Sequence, residues 1–132
     1  MLINQITIGC TDYAESVAFY KAIGLVQIVD APPRYARFES PSGDGATLSL
    51  HSVDKNIAQN TVVYFDHTSE EALASQIDKL IASGLVLRQK ITDESWGWKE
   101  ARIMDPAGNE LCFMFAGDQR RFPRWRVDGR SP

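Results

Sequence analysis

The residues best equipped for chemistry are His51 and the run Trp96-Gly97-Trp98-Lys99-Glu100-Ala101-Arg102. An imidazole and a carboxylate can work as an acid–base pair, share a divalent cation, or stand as hydrogen-bonded pocket walls. Two tryptophans around a glycine can form a stacking wall for a flat or apolar ligand. Glu100 favours a cationic or hydroxyl-bearing ligand and Arg102 a carboxylate, unless Arg102 neutralises Glu100. Cys10 and Cys112 lie in apolar strand patterns, have no adjacent histidine, and read as small buried hydrophobes. There is no Gly-x-Ser-x-Gly elbow. Gly43-Asp44-Gly45 reads as a hairpin turn rather than a phosphate loop. His67 stands just before a helix cap and reads as solvated.

These residues are carried by a pattern written twice. The first copy runs Ile6-Thr7-Ile8, a helix from Asp12, Gly24-Leu25, Pro41-Ser42-Gly43 and an alternating strand from Ala46 to His51. The second runs Val62 to Phe65, a helix from Thr68, Gly84-Leu85, Pro106-Ala107-Gly108 and a strand from Glu110 to Phe115. Asp12 with Glu15, and Thr68 with Glu71, have the spacing of capping boxes. Ala14, Val17 and Ala18 make the inner stripe of the first helix; Leu73, Ile77, Leu80 and Ile81 mark the second. Strands are expected at Leu2–Cys10, Leu25–Val29, Tyr35–Glu39, Leu85–Ile91 and Lys99–Met104 as well, giving β-α-β-β-β twice. Alternation places Thr47, Ser49 and His51 on the face away from the helix, and Trp98, Glu100 and Arg102 likewise. Two such units imply one domain built from paired halves, with a hollow where His51 and Glu100 can converge. The expected organisation is a single domain over 1–117, its modules at 1–52 and 60–117, followed by a tail at 118–132 that packs either on the pocket or on a partner subunit.

Bulk properties narrow the function. A chain of 132 residues with 44% hydrophobic content supports one ordinary core. A net charge of −3 with both signs interspersed argues against a nucleic-acid or anionic-membrane partner. The basic tail residues Arg120, Arg121, Arg124, Arg126 and Arg130 alternate with Phe122, Trp125 and Val127, a pattern of docking against protein. Met1-Leu2-Ile3-Asn4 lacks the charged start and apolar run of a secretory leader, so a cytoplasmic chain with reduced thiols is expected.

The repeated order, Phe19-Tyr20 in the first helix, Gly24-Leu25 after it and Asp105-Pro106-Ala107-Gly108-Asn109 before the last strand resemble the vicinal oxygen chelate superfamily. The Trp96–Arg102 run and the arginine-rich tail are similar to its glyoxalase/bleomycin-resistance branch. The resemblance implies an α+β fold of two βαβββ modules whose curved sheets surround a shared cleft, and a homodimer. It also implies where metal ligands would stand: Gln5 on strand one, Ser49 on strand four, Asn60 or Thr61 at strand five, and Cys112 on strand eight. That set has no imidazole and no carboxylate, which a hard divalent ion would want. The reading is therefore a small-molecule-binding protein without the usual four-ligand metal site and with no expected cofactor. Its aromatic or hydrophobic ligand would meet Gln5, Ser49, His51, Trp96, Trp98, Glu100, Arg102, Cys112 and Met114. The alternative is a lyase, isomerase or dioxygenase-like enzyme on a vicinal-oxygen substrate, with a divalent metal and catalytic His51 and Glu100.

Overall fold

The computed structural model describes residues 3–54 and 61–132; Leu2 and Asn60 lie outside the described residues. The chain divides into two compact units, Met1–Thr61 with Asp105–Asn109, and Val62–Met104 with Glu110–Pro132.

In the first unit the order is β1 (Gln5–Cys10), α1 (Tyr13–Ala22), β2 (Val26–Ala31), β3 (Tyr35–Glu39) and β4 (Thr47–Ser52). The sheet order is β1-β4-β3-β2, with β1 parallel to β4 and the other pairs antiparallel. The second unit repeats it with β5 (Val62–Asp66), α2 (Glu70–Ala82), β6 (Gln89–Asp93), β7 (Lys99–Met104) and β8 (Glu110–Phe115), in the order β5-β8-β7-β6. Register shows how deep the repeat goes. Ser49 faces Thr7 and Arg37 across its neighbours, and Cys112 faces Tyr64 and Arg102. Arg37 and Arg102 thus hold equivalent places, as do Tyr35 and Glu100. Among the described residues no helix is long and apolar enough to cross a membrane.

The Gly-Leu pairs have a local cause. After α1, Gly24 N–H donates to Lys21 O and Leu25 N–H to Tyr20 O; after α2, Gly84 donates to Ile81 and Leu85 to Leu80. Both are Schellman endings, which need a left-handed residue, and the two glycines have φ of 110° and 94°. Because Leu85 is spent on this closure, the sixth strand begins at Gln89 rather than Leu85. Asp12 caps α1 as expected, accepting from Glu15 N at 3.0 Å. The cap of α2 is Ser69 rather than Thr68: its hydroxyl reaches Ala72 N at 3.0 Å.

The buried side of α1 also differs from expectation. Ala14 and Ala18 are exposed, while Ser16 and Tyr20 are fully buried. Tyr20 wins this position because its ring packs 5.8 Å from Phe38 and its hydroxyl donates to Asp105 Oδ2 at 2.6 Å. Asp105 also accepts from Ala107 N, Asn109 N and Asn109 Nδ2 at 2.7–2.9 Å, and Asn109 Nδ2 donates to Gly9 O. The Asp-Pro-Ala-Gly-Asn turn is therefore a buried polar plug whose carboxylate is satisfied by four donors. Ile8, Phe38, Leu48 and Leu50 complete the core of the first unit; Val63, Leu73, Ile77, Leu80, Ile103, Leu111 and Phe113 form that of the second.

Candidate functional site

On strands of the second unit, residues of one parity pack beneath α2 and those of the other parity form the opposite face. That opposite face carries Tyr64 on β5, Glu100 and Arg102 on β7 with Trp98 immediately before it, and Cys112 and Met114 on β8. Cys112 and Met114 join Ala116 in a small buried cluster against which Val62 and Trp98 pack. This apolar floor supports a pocket of about 480 Å³ lined by Tyr64, Trp96, Trp98, Glu100, Gln119, Arg120, Pro123 and Trp125. The size is that of a small-molecule site. All three tryptophans of the chain line it.

Polar order beneath the pocket centres on Glu100, which is 1% exposed. One carboxylate oxygen accepts Trp96 Nε1–H at 2.9 Å and the other accepts Arg102 Nη2 at 2.9 Å. Arg102 also donates to Glu110 at 3.1 Å, and Arg88 pairs with Glu110 at 3.3 Å. The ring of Tyr64 lies 5.8 Å from the Arg102 guanidinium and meets Trp98 edge-on at 6.1 Å. The Glu100 hydrogen bond raises the Arg102 pKa further still. Burial, followed by the neighbouring Glu100 charge, pushes the Cys112 thiol up to about 12.

Two loops complete the wall. The turn between β6 and β7 is closed by Gly97 N–H to Glu94 O and Glu94 N–H to Trp98 O, with Gly97 at φ +90°. A Cβ built on Gly97 would lie 3.3 Å from Gln119 Cγ, so the bare glycine lets the C-terminal segment lie against the turn. That segment begins with a short 3-10 helix (Gly117–Arg120) and supplies Trp125, which is 54% exposed. Sequence reading expects no element after Gly117 and assigns none of these residues to the wall individually, though it allows the tail to pack on the pocket; the aromatic–arginine alternation is the signal that marks them. It also misses Tyr64, whose two-residue spacing from Val62 on an alternating strand places it on this face.

In the first unit the equivalent face is polar. The Tyr35 hydroxyl accepts from Arg37 Nε at 2.9 Å and Gln5 Nε2 at 3.4 Å, and lies 2.8 Å from Ser49 Oγ. Burial would raise the Tyr35 pKa, but hydrogen bonds from Ser49 and Arg37 outweigh it, and the net direction is down. Gln5 Oε1 accepts from Thr47 Oγ1 at 3.3 Å. Ser49 is buried, whereas His51 is exposed at the end of β4 opposite Tyr35. Tyr35 and Arg37 escape a sequence reading that applies alternation only to strands four and seven. His51 belongs to the first unit and Glu100 to the second; Thr61 is exposed and outside any strand. His67 is not simply solvated, for its Nδ1 lies 3.1 Å from Phe65 O and 3.0 Å from Met114 O. Two carbonyl partners require that nitrogen to carry a proton. Among the described residues no three of His, Cys, Asp and Glu gather as a group able to hold a metal.

The family model of the Glyoxalase-like domain matches residues 5–114, from the start of the first repeat into the last strand of the second. The chain belongs to this family. Solved structures agree on the glyoxalase-like fold. One is a glyoxalase/bleomycin resistance protein/dioxygenase from Nocardioides, 20% identical, with TM-score 0.72 over 100% of this chain and 87% of that one. Another is a glyoxalase/bleomycin resistance protein/dioxygenase family enzyme from Burkholderia phytofirmans PsJN, 16% identical, with TM-score 0.72 over 88% and 99%. A third is a lactoylglutathione lyase from Agrobacterium tumefaciens, 16% identical, with TM-score 0.71 over 86% and 92%. At these identities the glyoxalase-like likeness is one of fold. No curated protein matches the sequence.

Proposed function

We propose that this glyoxalase-like protein binds an aromatic or hydrophobic small molecule in the tryptophan-lined pocket of its second unit, and that binding requires no metal. The observation that carries this reading is the pocket wall: three tryptophans and Tyr64 around one volume, with Trp96 tied to a buried carboxylate. Aromatic walls contribute apolar area and stacking geometry, and an indole fixed before binding loses less entropy when the ligand arrives.

The donor chemistry supports the metal-free half. At the places where the family resemblance puts ligands, Ser49 is engaged with Tyr35 and Gln5 with Thr47 and Tyr35. Cys112 offers a soft sulfur where a hard divalent ion wants a carboxylate oxygen or an imidazole. These residues do not fit a hard divalent ion. The rival reading, a metal-dependent lyase, isomerase or dioxygenase-like enzyme using His51 and Glu100, has one specific observation in its favour: an exposed imidazole beside a tyrosine of lowered pKa. Against it, both Glu100 oxygens already accept hydrogen bonds.

Fluorescence titration with 2-naphthalenemethanol, with and without EDTA, tests the proposal. Saturable quenching of equal affinity in both buffers is expected. Elemental analysis of protein purified without chelator, alongside His51→Ala and Glu100→Gln, tests the rival. Stoichiometric Ni, Zn, Mn or Fe lost in both variants would overturn the metal-free reading.

A further inference from the structure

The charges around the pocket are unequal in a way that selects among aromatic ligands. Glu100 is the one carboxylate in the wall, and its charge is met by Arg102 at 2.9 Å. Arg102 and Arg88 together balance Glu100 and Glu110, so this network presents no net charge to a ligand. Arg120 stands in the wall with no ion-pair or hydrogen-bond partner for its guanidinium among the described residues. Arg124, between the wall residues Pro123 and Trp125 in sequence, carries a second positive charge, its guanidinium 5.5 Å from the Trp125 ring. Further along the tail, Arg126 is neutralised by Asp128 at 2.5 Å.

An aromatic box with a neutralised carboxylate and a free guanidinium does not fit a cation, because the cage has no net negative charge to offer it. It fits the opposite sign. From this arrangement we infer that the ligand is a planar aromatic anion, a carboxylate or phenolate on a ring system, with the rings against Trp96, Trp98 and Trp125 and the anionic group on Arg120. The inference rests on the pocket reading proposed above and adds the ligand's charge and the residue that reads it. Arg suits this task because its planar fork can meet a carboxylate with two parallel hydrogen bonds.

Three naphthalenes of equal ring size separate the possibilities: 2-naphthoate, 2-naphthalenemethanol and 2-naphthylmethylammonium, titrated by tryptophan fluorescence into the wild-type chain and Arg120→Gln. Arg120 is exposed, so the variant is expected to keep its fold, checked by circular dichroism. The expected result is naphthoate binding about tenfold or more tighter than the ammonium compound, the factor a single hydrogen-bonded charge supplies. In Arg120→Gln the preference should vanish, naphthoate and the alcohol binding with the same affinity as each other. Equal or tighter binding of the alcohol or the ammonium compound overturns the anion inference and leaves the pocket reading standing. A naphthoate preference that survives in Arg120→Gln overturns the assignment to Arg120. Failure of all three compounds to bind overturns the pocket reading and the inference with it.

Discussion

Trp96 gives its indole N–H to Glu100 at 2.9 Å, so the most buried acid of the second sheet holds an aromatic ring in place. The other oxygen of the same carboxylate takes Arg102. Glu100 is thus a positioning residue: it sets the Trp96 wall and anchors the ion-pair chain to Glu110 and Arg88.

Removing that carboxylate should cost stability as well as affinity. Glu100→Ala strands the Trp96 donor and half of Arg102, and should destabilise the fold by about 3 kcal/mol, the low end for a broken buried pair because Arg102 keeps Glu110. Glu100→Gln retains an acceptor for Trp96 and should cost about 1–2 kcal/mol. Urea denaturation of the three proteins checks the order.

Trp125 separates binding from folding. More than half exposed, it contributes to the pocket wall but little to the core. Trp125→Ala should leave stability within about 0.5 kcal/mol of wild type while weakening 2-naphthoate binding about tenfold, as loss of one stacking ring of about 1.4 kcal/mol would. Thermal melts and titrations on the same sample measure both.

Cys112 should be chemically silent. Its folded pKa, pushed up to about 12 against an ordinary value of 9.0, leaves a neutral thiol throughout the usual pH range. A thiol reagent at pH 8 should label it only after unfolding. The linkage has a definite sign: the unfolded thiol ionises first, so stability is fully present below about pH 9 and declines as pH rises from there towards 12. Denaturation midpoints from pH 8 to 11 in wild type and Cys112→Ala should diverge in that direction.

Tyr20→Phe tests the buried turn. It removes one of the donors to Asp105 but leaves Asn109 Nδ2 on the same oxygen, so a loss of about 1–2 kcal/mol is expected. Asp105→Ala takes the carboxylate from all four donors, Asn109 Nδ2 keeping only Gly9 O, and should cost more. Chemical denaturation ranks them.

The fold was legible because its punctuation is local. Gly24-Leu25 and Gly84-Leu85 encode two Schellman endings through short-range hydrogen bonds, and strands three and seven fall at their expected bounds. Tertiary partners decided the rest. Ala14 and Ala18 have the right spacing for an inner stripe, yet the larger Tyr20 takes the buried side because Phe38 and Asp105 await it. Trp98, Glu100 and Arg102 could be grouped by alternation alone, while Trp96 sits in the preceding turn and joins them through its hydrogen bond to Glu100. Gln119, Arg120 and Trp125 lie beyond the last strand, and the close approach of Gln119 depends on the bare surface of Gly97, which no periodicity reports.

The most direct test of the account is a ¹H–¹⁵N spectrum of the indole region during titration with 2-naphthoate in EDTA. The three tryptophans give three side-chain resonances, and all three line the pocket. The account predicts that all three shift along a single saturable isotherm without metal. Unmoved indole signals with shifts confined to amides of Gln5, Tyr35, Ser49 and His51, or shifts that appear only after a divalent cation is added, would contradict it.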